Sequence, residues 1–270
     1  MLKNKLLVAA LVSAFSLNAM AEDAPAPASP FSTNVALTSN YLYRGISQSG
    51  TKPAIQGGFD YAGASGVYAG VWGSSISWVS DAGGVSYPRA ASAAGLELDT
   101  YAGYKGTAGA VSYDAGFLRY NYPGVYASGV TKPDTNEVYG AVTYSIVTAK
   151  LSYALGDLFG VSKAKGSTYF DLTATYPIPD TTYTVAAHYG KQTYKGTTAD
   201  SLKAGGADPT YTDYKLSITK DLGTGYNASL AYSKTNAATG VGKFYNAVYA
   251  DGSNKDLGKG VVVLTLARTF

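Results

Sequence analysis

Gly260–Phe270, read as GVVVLTLARTF, is the stretch that decides the fold. Successive side chains of an extended strand point to opposite faces. Val262, Leu264, Leu266 and Phe270 therefore share one face, and Val261, Val263, Thr265, Ala267 and Thr269 share the other. The last residues of a soluble domain are commonly frayed and polar. A strand with so apolar a face, finishing on an aromatic ring, reads instead as fixed in a sheet, and as the strand that closes a barrel.

The same period of two recurs upstream. It gives about twelve strands, near Thr33–Arg44, Ala54–Tyr61, Val67–Trp78, Leu96–Lys105, Ala110–Tyr120, Glu137–Ser145, Thr148–Leu155, Thr168–Tyr176, Tyr183–Thr193, Thr212–Asp221, Tyr226–Lys234 and Gly260–Phe270. Short turns at 62–66, 106–109, around Ile146, at 177–182 and at 223–225 alternate with longer polar connections. Outer-membrane barrels have this asymmetry, with short periplasmic turns and long extracellular loops. The expected fold is all-β: a transmembrane antiparallel up-and-down β-barrel over residues 32–270, with an exported β-sandwich as its rival.

Tyrosines mark the short turns. Tyr61, Tyr104, Tyr113, Tyr144, Tyr176, Tyr183 and Tyr226 lie beside them, as does Tyr68, and most share a face with apolar neighbours. With Phe270 they form a candidate lower girdle, rings in lipid and hydroxyls at the headgroups. The third strand is harder to orient, because Val67/Ala69/Val71 and Tyr68/Trp72/Ile76/Trp78 are both apolar sets.

Composition narrows the function classes. Residues 1–21 have a basic head (Lys3, Lys5), an apolar core and an Ala19-Met20-Ala21 site, the pattern of a cleaved signal peptide; the core is too short for a spanning helix. Residues 22–31 read as an Ala/Pro-rich periplasmic tail. Without Lys3 and Lys5 the 21 basic residues fall to 19 against 18 acidic ones, with no basic cluster of the kind nucleic acid requires. The chain has no cysteine, hence no disulfide framework and no thiolate metal site. No metal or cofactor is expected.

The face opposite the apolar one is polar. It carries Asp60, Glu97, Asp99, Asp114, Glu137, Lys150, Asp171, His188, Asp213 and Lys215, with Arg44 near the outer mouth. A dry core would charge several kcal/mol for each unpaired charge, and a wet lumen removes that penalty. These residues are read as pore lining. The acids lie mostly on the second to eighth strands and Lys215 further round, so a transverse field across the pore is expected. Two carboxylates on one strand also fit an acid/base pair with one raised pKa, but a water-filled lumen lacks the desolvation this needs. His188, the single histidine, admits a barrel hydrolase with Asp171 in reach, or a plain polar lumen residue. Lys163, Lys165, Lys195, Lys203, Lys243 and Lys255 in the late loops fit anion capture, lipopolysaccharide binding or simple solvation.

Leu37–Ser49 (LTSNYLYRGISQS) followed by Pro53–Tyr61 (PAIQGGFDY) resembles the TorF family of porin-like proteins, also called the Gcw-chp family of proteobacterial outer-membrane proteins. Gly70–Ser74, Glu97–Asp99, Tyr120–Gly124, Gly156-Asp157 and Tyr211–Lys215 continue the resemblance in order. It implies an outer-membrane barrel in a Gram-negative envelope, without substrate or catalytic residues. Phe270 is similar to the terminal signal read by the barrel-insertion machinery. Arg268 departs from the apolar alternation there. The expected function is passive diffusion of small hydrophilic solutes through a narrow charged lumen, with 79–95 as the constriction loop. A hydrolase using His188 and a non-conducting structural or adhesive barrel are the alternatives, and a closed lumen would weigh against the channel.

Overall fold

A computed structural model describes residues 29–81, 93–249 and 253–270. The signal-peptide segment and most of the Ala/Pro tail lie outside the described residues. Twelve strands form one closed barrel: β1 (Phe31–Thr38), β4 (Ala54–Ala62), β5 (Val67–Ser75), β6 (Leu96–Ala108), β7 (Val111–Asn121), β8 (Thr135–Tyr144), β9 (Val147–Ala154), β10 (Thr168–Pro177), β11 (Tyr183–Thr193), β12 (Tyr211–Gly223), β13 (Tyr226–Thr235) and β16 (Val261–Thr269). Each pairs antiparallel with its neighbour. The ring closes where β1 meets β16, from Asn34↔Thr269 to Thr38↔Thr265. Closure leaves no strand edge unpaired, the condition for a sheet to sit in lipid. Strands of 8 to 13 residues bracket the ~9–11 that a tilted crossing requires.

Two small hairpins and two helices lie off the wall. They are β2 (Leu42–Tyr43) with β3 (Ile46–Ser47), β14 (Asn246–Val248) with β15 (Asn254–Asp256), α1 (Trp78–Asp81) and α2 (Thr197–Ala204). All belong to the long connections, so the barrel has a short-turn end and a long-loop end.

Side-chain exposure follows the alternation. On β16, Val262 and Leu264 are 62 % and 61 % exposed, whereas Val263 between them is 8 % exposed. On β6, Leu96 and Leu98 face out while Glu97 and Asp99 are buried inside. The ambiguous strand is resolved as well: Val67 and Val71 point out, and Tyr68, Trp72 and Ser74 point in. A continuous outward band of Leu, Val, Phe and Tyr is far larger than a water-facing surface tolerates.

Inside, tyrosines lie across glycines of the adjoining strand. Tyr68 is the register partner of Gly103, Tyr101 of Gly70 and Tyr139 of Gly116. In each pair a Cβ on the glycine would collide with the facing ring. The bare backbone and the flat ring fit because neither leaves room for more, as when an aromatic covers a strand glycine.

Apolar packing gathers at the long-loop end. Tyr41, Trp72, Ile76, Val79, Tyr120 and Tyr122 form one cluster. A second joins Leu158, Val161, Ala164, Tyr194, Ala199 and Phe244 across three loops.

The first strand stops earlier than its periodicity implies. The chain leaves the wall after Thr38 and rejoins it at Ala54, the register partner of Thr38. Between them, β2 and β3 make a hairpin whose two-residue turn, Arg44-Gly45, has φ of 47° and 77°. Positive φ at both positions is what a type I′ turn needs, with glycine second. Arg44 is therefore the tip of an inserted hairpin, not the end of a wall strand.

Candidate functional site

The hairpin tip enters the barrel and ends on the charged face of the wall. Arg44 Nη2 donates to Glu137 Oε2 at 2.7 Å and Nη1 to Glu137 Oε1 at 3.1 Å. Nη1 also donates to Gln192 Oε1 at 2.7 Å. The guanidinium lies 4.2 Å from the Tyr169 ring centroid and 4.8 Å from that of Tyr43. Side-chain exposure is 6 % for Arg44 and 2 % for Glu137. A fork of donors on a carboxylate, stacked on aromatic faces, is the geometry for which arginine is suited.

Neighbouring contacts fix the rest of the hairpin. Tyr41 donates its hydroxyl to Glu97 Oε1 at 2.7 Å, and the Tyr43 and Tyr120 hydroxyls are 2.5 Å apart. A Cβ on Gly45 would lie 2.7 Å from Asp213 Cβ and from Thr235 Cγ2. Above the hairpin, Ser77 and Trp78 donate their backbone N–H to Gln48 O, which ties α1 to it.

A second network surrounds His188. Its Nε2 is 2.9 Å from Asp213 Oδ1 and 3.1 Å from the Tyr169 hydroxyl, which donates to Asp213 Oδ2 at 2.9 Å. Its Nδ1 is 2.9 Å from Thr173 Oγ1 and 3.4 Å from Asp171 Oδ2. The ring is thus held between two carboxylates. A Ser-His hydrolase needs a nucleophilic hydroxyl against the ring, and the hydroxyls present belong to Thr173 and Tyr169. Tyr169 joins the networks, touching both Arg44 and His188.

Of the other inward residues, Asp60 and Asp114 lie lower down, while Lys150 and Lys215 share the level of Asp171 and His188. Asp60 accepts from Tyr101, and Asp114 accepts from Tyr68 at 2.5 Å. Lys150 is buried with its Nζ 3.9 Å from the Tyr139 ring centroid. Lys215 sits opposite His188 in the register. Most of these charges are engaged with other side chains.

Sequence reading missed the hairpin and with it Tyr41, Tyr43, Tyr169 and Gln192 as partners. The signal was there, since Tyr43-Arg44-Gly45-Ile46 is a two-residue turn flanked by strand formers. It was masked because the first strand was carried on to Arg44 through the strand formers Tyr41-Leu42-Tyr43. The expected constriction, 79–95, falls partly outside the described residues. Val79 packs with Tyr41 and Trp72, and among the described residues it is the β2–β3 hairpin, through Arg44, that reaches the inner wall.

On the outer face Tyr61, Tyr104, Tyr113, Tyr144, Tyr176, Tyr183, Tyr226 and Phe270 are each at least 37 % exposed. Tyr68 is the exception, turned inward. Arg268 lies 4.3 Å from the Phe270 ring centroid and 4.7 Å from that of Tyr226, so its charge is held along the aromatic row.

The fold is that of a porin-type barrel. NanC porin superposes with a TM-score of 0.50 at 10 % identity, covering 89 % of this chain and 98 % of its own. KdgM porin gives 0.48 at 9 % identity with 88 % and 98 % coverage. Omp33 of Acinetobacter baumannii gives 0.46 at 7 % identity with 90 % and 98 % coverage. Residues 22–270 match the family described as "Bacterial protein of unknown function (Gcw_chp)", and the chain belongs to that family. No curated protein matches the sequence.

Proposed function

We propose that the protein is an outer-membrane channel for small hydrophilic solutes, as the resemblance to TorF-type porins implies, and that this structure is its closed state. The observation that carries the reading is the polar inner face of a closed twelve-stranded barrel. Eight-stranded barrels are filled by side chains and sixteen-stranded ones leave an aqueous channel. Twelve strands enclose a lumen wide enough to need a separate stopper, and the β2–β3 hairpin is that stopper. Its tip is held by hydrogen bonds and one ion pair, contacts that water can replace. In this reading the long loops face outward and the Tyr-marked turns face the periplasm. The outward band meets lipid, and the exposed loop lysines meet lipopolysaccharide phosphates. Arg44, Glu97, Asp99, Glu137, Lys150, Asp171, His188, Asp213 and Lys215 line the stoppered section, and Asp60 and Asp114 line the exit.

The apolar anchoring of Tyr41 and Ile46 favours a second reading, a permanently plugged structural barrel. Planar-bilayer recordings separate the two. Because Thr38 and Ala54 are register partners, residues 40–52 can be replaced by a short Gly/Ser turn without moving the wall. The channel reading expects steady current from this variant and rare openings from the native chain. A folded variant that carries no current sinks it.

A further inference from the structure

The hairpin tip reports what the wall recognises. Arg44 presents a guanidinium to a carboxylate, a side-chain amide and the Tyr169 ring face, all supplied by the barrel wall. The hairpin itself adds a second ring, Tyr43, beside the cation. Around it the wall carries carboxyl groups that Arg44 does not reach. Glu97 and Asp99 are 1 % and 4 % exposed, and among the described residues no hydrogen bond reaches Glu97 Oε2 or Asp99 Oδ1. Trp72, opposite Asp99 in the register, and Tyr120 border this acidic pair. Ring faces attract cations electrostatically, and guanidinium stacks on them best when water is excluded.

We infer that the lumen is a recognition site for guanidinium-bearing solutes, with Arg44 as its tethered occupant. Glu137 and Gln192 take the planar cation and Tyr169 stacks on it. Glu97 and Asp99 hold a second positive group, such as the ammonium of a longer solute. A free solute of this class competes with Arg44 for the same acceptors and ring face, so arrival of cargo and release of the stopper are one event. The inference rests on the channel reading for its physiological sense, and its binding arm needs no current.

The test is chemical rescue. Folded R44A barrel in detergent is melted with methylguanidinium chloride, with sodium chloride and with sodium glutamate at equal ionic strength. Methylguanidinium is expected to raise the R44A melting temperature by several degrees in a saturable way, while the two sodium salts leave it unmoved. The R44A/E137Q double variant is expected to lose the response. Equal shifts with sodium chloride, or a double variant that still responds, overturn the inference. If R44A does not fold, the native chain is recorded in bilayers with arginine or glutamate added on the long-loop side. A higher open fraction with arginine alone supports the inference, and no difference between the two overturns it. Rescue without current in any variant would leave the site standing and remove the channel. Current without guanidinium selectivity would do the reverse.

Discussion

The two halves of the lumen are built on opposite principles. Toward the long loops the interior is packed: Thr135, Glu137, Gln192 and Asp213 are at most 2 % exposed, and Arg44 fills the centre. Toward the short turns the interior is lined by Asn34, Ala36, Ala186, Ser217, Ser229 and Ala231, all half-buried, facing the Tyr68–Tyr101–Tyr139 arc. One half is dense with ionisable groups, most of them bonded to the chain itself. The other is lined by small residues that face an arc of tyrosines. The wall is the same sheet throughout, so the difference lies in what the first long connection inserts.

The largest test of that contrast is Arg44→Ala. It strands Glu137 without its cation, and losing one partner of a buried ion pair costs roughly 3–5 kcal/mol. The expected outcome is a lower melting temperature together with continuous current in a planar bilayer. Unchanged gating would mean that the tip does not close the passage.

Gly45→Ala comes next. The left-handed backbone costs a non-glycine residue about 1–2 kcal/mol, and the new Cβ meets Asp213 and Thr235. The hairpin should sit less deeply, read as more frequent openings and faster proteolysis within 40–52, while the barrel keeps its heat-modifiable mobility on gels.

In the lower half effects should shrink. Tyr68→Phe removes the hydroxyl on Asp114, a loss of about 0.5–1.5 kcal/mol for one hydrogen bond, and current should not change. Ser217→Trp should be smaller still in stability, within about 0.5 kcal/mol as for sites free of packing constraints. It should nevertheless narrow the passage, visible as reduced unitary conductance in the R44A background. A severe folding defect in Ser217→Trp would show that the lower half is packed too, and the contrast would collapse.

Legibility in the sequence divides along the same line. The wall was readable because each strand has one face in lipid and one in a polar lumen, so residue identity alternates with a period of two. Each of the twelve barrel strands overlaps a stretch that the period marks, though β1 stops at Thr38 and β5 at Ser75, short of their expected ends, and the exposed tyrosines lie beside the short turns. The β2–β3 hairpin was not readable by that rule. Leu42-Tyr43 and Ile46-Ser47 are strand formers close to the end of the first wall strand, yet they pair with each other inside the barrel. Glu137 was identified as an inward acid, but its partner is 93 positions away on a hairpin that periodicity merged with the wall. Parity gives a residue's face; it carries nothing about which loop folds back on it.

The tyrosine–glycine pairs have a consequence for assembly. Alternation guards a strand against sliding by one residue, since that turns every side chain to the wrong face. It is blind to a slide of two, which keeps lipid-facing residues in lipid. A slide of two between β5 and β6 would set Tyr68 against Tyr101 or Lys105 in place of Gly103, and two rings or a ring and an ammonium stem cannot share the space left for a hydrogen atom. Tyr68–Gly103, Tyr101–Gly70 and Tyr139–Gly116 thus act as spelling checks on the zipper, two on the β5–β6 seam and one on the β7–β8 seam, each accepting a single alignment as the barrel closes.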